Sequence, residues 1–275
     1  MIELIASMII WGSLGMFVMW SGMSAIEIAF FRCLSGAIII GIYLIISKRK
    51  IVLNRGTLVV ALAGIFLVLN WILLFKSFQV ASITIGNMSY YLQPVILIIF
   101  GALFLKEKTT KRQLLYIAVA FCGVVMIMIT KNIPENHIVL GALLALSAAI
   151  FYSLVTLMMK RNQIGFFEVI FIQLIIGTLM LLPFMKHIHL TSHTLGYILL
   201  FGVVHTVLAY YLYYKAIKRV NLVSIAIVSY IDPIVAIATD IAFFHRTLNV
   251  IQIVGIILAF IAIYQVIKPK KLKSL

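Results

Sequence analysis

The sequence predicts an all-α integral membrane protein with ten transmembrane helices in two inverted five-helix repeats. Three observations carry this prediction. Of the 275 residues, 64% are hydrophobic and only 11% are charged, and the mean hydropathy of +1.20 lies far outside the range of soluble domains. The last stretch repeats an earlier one at a constant spacing of 139, pairing Lys76 with Lys215, Tyr91 with Tyr230 and Pro94 with Pro233. The basic residues also gather in alternate joints between the apolar runs.

Crossing about 30 Å of hydrocarbon takes about 20 residues of helix. Continuous rather than alternating apolar runs favour helices over a barrel. Such runs fall near 2–20, 25–47, 56–76, 83–105, 112–130, 137–159, 166–185, 193–214, 222–244 and 249–267. The first carries Glu3 where a signal peptide has basic residues and is followed at once by another span, so it is read as retained. Its Ser7, Ser13 and Leu14 line up with Ser147, Ser153 and Leu154 of the sixth at a spacing of 140. In the second, Glu27, Arg32 and Gly36 line up with Glu168, Gln173 and Gly177 of the seventh at a spacing of 141. The fourth and ninth each hold a mid-span proline, Pro94 and Pro233, expected to kink them. Ala118 and Cys122 in the fifth, and Gly141, Ala145 and Ala149 in the sixth, are small residues at interhelical spacing. Cys33 and Cys122 both sit inside spans and are read as packing residues rather than a disulfide or metal pair. The domains expected are a first repeat over 1–131, a second over 137–268 and a basic tail over 269–275.

Threading ten spans puts seventeen of the 22 basic residues on one side: Lys48, Arg49, Lys50, Arg55, Lys106, Lys108, Lys111, Arg112, Lys160, Arg161, Lys215, Lys218, Arg219 and the tail lysines. Lys76, Lys131, Lys186 and Arg246 fall opposite, and Arg32 lies within a span. The positive-inside rule therefore puts both termini in the cytoplasm of a cell membrane. It also explains the net charge of +15 without a nucleic-acid partner. Five spans per repeat force the second repeat into the bilayer upside down, the mark of an inverted-repeat transporter.

Two motif copies extend this reading. One is Tyr90-Tyr91-Leu92-Gln93-Pro94-Val95, followed by Phe104-Leu105-Lys106-Glu107-Lys108-Thr109 and Gln113. The other is Tyr230-Ile231-Asp232-Pro233-Ile234-Val235, followed by Phe243-Phe244-His245-Arg246-Thr247 and Gln252. With them, the chain resembles the ten-helix EamA-type members of the drug/metabolite transporter superfamily over essentially its whole length. The resemblance implies an inner-membrane permease with a central cavity that moves small metabolites, often amino acids, usually outward. Family members carry Glu at the ends of the fourth and ninth helices; Glu107 matches, whereas Arg246 departs.

Asp232 is the foremost candidate site residue, because an ionised carboxylate at mid-span costs at least about 2.5 kcal/mol. It is read either as a substrate-amine or proton site or as a structural mate of Arg32, with Ser229 one turn before it. Arg32 suits bidentate binding of a substrate carboxylate, or else pairs with Asp232 or Glu27. Gln93 is the repeat mate of Asp232, with Tyr90 and Asn87 near its side of the helix. His205 is either a proton relay or a neutral, hydrogen-bonded residue. Trp11, and Asn70 with Trp71, either wall a cavity or fill space. Asp240, Lys76 and Lys215 are read as snorkelling terminal groups, and His187, His189 and His193 as a weak metal cluster.

No phosphate-cradling glycine loop, zinc helix or Ser-His-Asp arrangement is found, so no catalytic residue and no cofactor is expected. The expectation is a secondary active transporter exporting a small metabolite by alternating access, with proton coupling through Asp232. A proton-coupled importer is the closer rival; a channel or membrane enzyme stands further off. The partners expected are the solute and the bilayer, with monomer and homodimer both open.

Overall fold

In a lipid bilayer each backbone N–H and C=O has to be satisfied within its own segment, and unbroken apolar runs therefore coil. The computed structural model describes residues 1–81, 83–128, 137–185, 191–244 and 249–267, and every regular element among them is helical. Lys131, Lys186, His187, His189, His245, Arg246, Thr247 and the tail 269–275 lie outside the described residues, as does the side chain of Asp240.

α1 (Ile2–Gly12) and α2 (Leu14–Ser21) form one apolar rod, but not the uninterrupted helix expected. Ser13 breaks it, its hydroxyl donating back to the Ile10 carbonyl at 2.8 Å. α3 (Ala25–Ile46) opens with a capping box in which Ser24 Oγ accepts the Glu27 N–H and Glu27 Oε2 accepts the Ser24 N–H. α4 (Arg55–Val80) starts where Asn54 Oδ1 accepts the Thr57 N–H at 3.0 Å, and it runs four residues past its expected end at 76.

α5 (Ile83–Tyr90) and α6 (Gln93–Phe100) are separated at Tyr91 and Leu92, and a wide π-type turn, Gly101–Leu105, continues α6. α7 (Lys111–Met128), α8 (Ile138–Arg161) and α9 (Phe166–Leu181) follow. α10 (Ser192–Leu200) passes through a second π-type stretch, Phe201–Leu208, into α11 (Ala209–Ile217). α12 (Leu222–Val228), α13 (Ile231–Phe244) and α14 (Val250–Ile267) complete the chain. Both prolines therefore sit just after a full helix break. Pro233 has no N–H for the Ser229 carbonyl, and Asp232 N–H takes it instead at 3.3 Å.

Among the described residues eight helical stretches are long and apolar enough to cross a membrane, and Val250–Val266 is apolar but shorter. Leu53, Leu103, Val139 and Leu179 project from the flanks. An apolar surface of that extent needs hydrocarbon rather than water as its solvent. Inside, α4 packs on α8 and α9, α1 on α11 and α13, and α12 on α6. α7 and α14 touch backbone to backbone at two glycines: a Cβ on Gly123 would meet the Gly255 carbonyl at 2.6 Å, and one on Gly255 would meet the Gly123 carbonyl at 2.5 Å.

One end of the bundle is tied by charge. Glu3 pairs with Lys215 at 3.4 Å and Arg219 at 3.8 Å, and Arg49 with Glu168 at 3.5 Å. Glu107 pairs with Lys160 at 3.8 Å and accepts the Leu222 N–H at the start of α12 at 3.1 Å. Lys160 Nζ also donates to the carbonyls of Ile217 and Val220. Lys218 Nζ donates to the Ile164 carbonyl at 3.3 Å, and burial holds that ammonium below the usual lysine range.

Candidate functional site

The two helix breaks meet in the middle of the bundle, where Tyr230 OH donates to the Tyr91 carbonyl at 3.2 Å. Beside them is a cavity of about 210 Å³ whose walls include Asp232, Arg32, Gln93, Trp11, Tyr90, Asn70, Trp71, Ser229 and Pro94. His205, Asn87 and Pro233 are not among the lining residues. The space is smaller than the roughly 300–1,000 Å³ of drug-sized ligand sites.

Asp232 begins α13 and stands at the middle of the Leu222–Phe243 span. Its carboxylate makes no ion pair or hydrogen bond with any described residue. The structure therefore does not pair it with Arg32, the alternative held open above. Arg32 is fixed by other means: Nε donates to Thr206 Oγ1 at 3.1 Å, Nη2 donates to the His205 carbonyl at 3.0 Å, and the guanidinium lies 5.4 Å from the Trp71 ring centre. Nη1 has no hydrogen-bond acceptor among the described residues. Glu27 holds the Ser24 N–H instead, at 2.8 Å.

Gln93 is buried, and its side-chain amide has no hydrogen-bond partner among the described residues, while its carbonyl accepts from Ser153 Oγ at 3.2 Å. Asn70 Nδ2 bridges the Ala148 carbonyl at 2.8 Å and Tyr90 OH at 3.2 Å, which aims the phenol. Ser229 Oγ is taken by the Ile225 carbonyl at 2.8 Å, and the Asn87 carbonyl by the Tyr91 N–H at 2.9 Å.

His205 acts through its backbone. It sits in the π-type stretch, where its carbonyl accepts both Arg32 Nη2 and Trp11 Nε1, the latter at 3.1 Å. Its ring turns away, with Nε2 3.2 Å from Ser13 Oγ and Phe17 and Phe201 alongside. Thr206, which holds Arg32, carries no signal in the sequence, and neither do Tyr152 and Tyr210; Tyr91 marks itself there only as the repeat mate of Tyr230, not as a site residue. Tyr91, Tyr152 and Tyr210 wall the cavity, and Trp11 packs 5.0 Å from Tyr210. Beyond them Tyr213 OH lies 2.9 Å from Thr156 Oγ1, and Tyr214 OH donates to Gln173 Oε1 at 2.6 Å.

Chemically, the cavity offers one carboxylate, one guanidinium edge and two amides, those of Gln93 and Asn70, among aromatic walls. That set suits an ion bearing both an ammonium and a carboxylate. Among the described residues no group of three or more His, Cys, Asp or Glu side chains is placed to hold a metal.

The EamA-like transporter family model matches residues 1–129 and again 139–268. The chain belongs to the EamA-like transporter family. It is 29% identical over 268 residues to the uncharacterized transporter YxxF of Bacillus subtilis, covering 94% of this chain and 86% of that one. It is 25% identical over 253 residues to the pseudopaline exporter CntI of Pseudomonas aeruginosa, covering 90% and 87%. A solved crystal structure superposes with a TM-score of 0.84 at 13% identity, covering 96% of each chain, a likeness of fold alone. Family membership makes this EamA-like chain a multi-pass membrane transporter and not an enzyme.

Proposed function

We propose that this EamA-like transporter is a secondary active exporter of a small zwitterionic metabolite, such as an amino acid, working by alternating access. The observation that carries the reading is that Asp232 and Arg32 both line one small mid-bundle cavity without touching each other, each with a polar edge that no described residue satisfies. An ammonium on the solute meets Asp232, its carboxylate meets Arg32 Nη1, and Gln93 and Tyr90 supply neutral contacts.

In this reading α7 and α14 count as spans, giving ten helices in two inverted repeats over 1–131 and 137–268, with both termini in the cytoplasm of the cell membrane. The Lys160 and Glu107 latch then closes the cytoplasmic end. Leu14, Leu74 and Phe75, on the side away from the latch, lead outward from the cavity. The bilayer midplane contact of Tyr230 with Tyr91 joins repeat mates, where inverted-repeat transporters place their ligand. The Pseudomonas relative is named an exporter, which supports the outward direction.

The test compares small metabolites in medium and cells for wild type and Asp232→Asn at matched membrane levels. A solute accumulating outside only with wild type supports export and names the substrate to reconstitute. Depletion of medium solutes into wild-type cells would overturn export in favour of import.

A further inference from the structure

A second space, of about 810 Å³, shares no lining residue with the first. It lies at the charge-tied end, between the segment leading into α4 and the joint from α8 to α9. Lys50, Arg55 and Arg161 line it, together with Gly165 and Glu168. Two helices, α4 and α9, begin at its edge, so two positive helix-dipole ends add to three cationic side chains. The walls are held in place. Asn162, buried between the two segments, donates from Nδ2 to the Gly56 carbonyl at 3.1 Å and accepts the Ile164 N–H on Oδ1 at 2.7 Å. Thr57 ties back to the Val52 carbonyl and to Asn54.

One atom of its wall, packed against Gly165, is unsatisfied. Glu168 Oε1 accepts from Arg49 at 3.5 Å, but Oε2 is buried with no hydrogen-bond donor. A bare acceptor beside a surplus of positive charge fits a ligand that is anionic overall and also carries a donor. The depth narrows the ligand further. Arg55 and Arg161 are end residues of the Arg55–Val80 and Ile138–Arg161 spans, which is headgroup depth. From the rim, α4 exposes Leu58 (70%), Leu62 (44%) and Ile65 (38%) about one turn apart, an apolar track that matches an acyl chain.

We propose that this space is a headgroup site for an anionic glycerophospholipid, its phosphate held by Lys50, Arg55 and Arg161 and a headgroup hydroxyl donating to Glu168 Oε2. Phosphatidylglycerol has this chemistry. Basic pockets between transmembrane helices recognise phosphate headgroups in this way. The site is independent of the solute and of the direction of transport.

Native mass spectrometry of the purified full chain, with defined lipids added to detergent, tests the proposal. The expected result is one phosphatidylglycerol retained per chain, at least tenfold more tightly than phosphatidylcholine. Arg55→Gln/Arg161→Gln should erase that preference, and Lys108→Gln/Lys111→Gln, which removes exposed charge at the same end, should keep it. Phosphatidylmethanol, with the same phosphate and no hydroxyl, should bind wild type several-fold more weakly than phosphatidylglycerol, a comparison that needs no variant. Equal retention of phosphatidylcholine, or an unchanged preference in the Arg55→Gln/Arg161→Gln protein, would overturn the site. Displacement of the lipid by millimolar free glycerol phosphate would overturn the lipid assignment in favour of a soluble phosphate ester.

Discussion

Gly12 and Gly15 lie three residues apart on the first membrane rod, yet the structure predicts opposite consequences for the same substitution. A Cβ at Gly12 would stand 2.6 Å from the Asp232 carbonyl oxygen and 2.7 Å from Val235 Cβ, whereas one at Gly15 would meet nothing within 4 Å. Reaching ordinary contact at 3.4 Å requires a shift of about 0.8 Å, and the closer neighbour is backbone, which has no rotamer to yield. Overpacking of this kind costs about 1–3 kcal/mol. Replacing glycine by alanine inside a helix recovers about 1 kcal/mol. Gly12→Ala therefore loses about 1–2 kcal/mol net, near the upper end of that ledger because backbone must move, while Gly15→Ala is neutral or gains up to about 1 kcal/mol. Unfolding in one detergent, with helicity and tryptophan emission as separate probes, measures both. Because the displaced group carries Asp232, Gly12→Ala should also weaken solute binding, and Gly15→Ala should not. Equal stability of the two variants would refute the reasoning.

Other consequences are equally measurable. Asp232→Asn should abolish the dependence of solute flux on a pH gradient in proteoliposomes; flux that still follows the gradient would remove Asp232 from coupling. Arg32→Lys should lower transport at least tenfold, because an ammonium cannot serve Thr206, the His205 carbonyl and the Trp71 face while presenting a flat edge to the solute. Tyr230→Phe removes the hydrogen bond to the Tyr91 carbonyl and should cost about 0.5–1.5 kcal/mol of stability. Lys160→Met frees two carbonyls and one side of Glu107, and should raise maleimide labelling of a cysteine at the buried position 224 in a background lacking Cys33 and Cys122. Unchanged labelling would show that the latch does not govern that end.

The helical membrane class was legible because hydropathy and run length report directly on the solvent each segment meets. The polar wall of the cavity was legible for a related reason. Asp232, Arg32 and Gln93 stand in apolar runs where a charge or amide is costly, so each one marks itself. Tyr152 and Tyr210 carry no such mark, since an aromatic residue in an apolar run reads the same whether it walls a cavity or fills a core. His205 shows a different limit: its ring drew attention, but its carbonyl holds Arg32 and Trp11. A π-type turn frees that carbonyl, and backbone geometry leaves no trace in composition. The break at Ser13 was hidden for the same reason. The second space, at the ends of α4 and α9, was invisible because its basic residues are far apart in sequence and only folding brings Arg55 beside Arg161.

The unpaired carboxylate of Asp232 also bears on leakage. Sealing the cavity around a naked carboxylate exacts a penalty of about 2.5–3.5 kcal/mol, the cost of an acid at mid-membrane. In the proposed alternating-access cycle, a solute bringing its own ammonium, or a proton, cancels that charge and lets both ends close. A carrier with neither is held back by a factor of roughly 70–400. In the proposed exporter this one unpaired charge thus acts as a toll against idle cycling, so that the membrane gradient is not dissipated when there is nothing to carry.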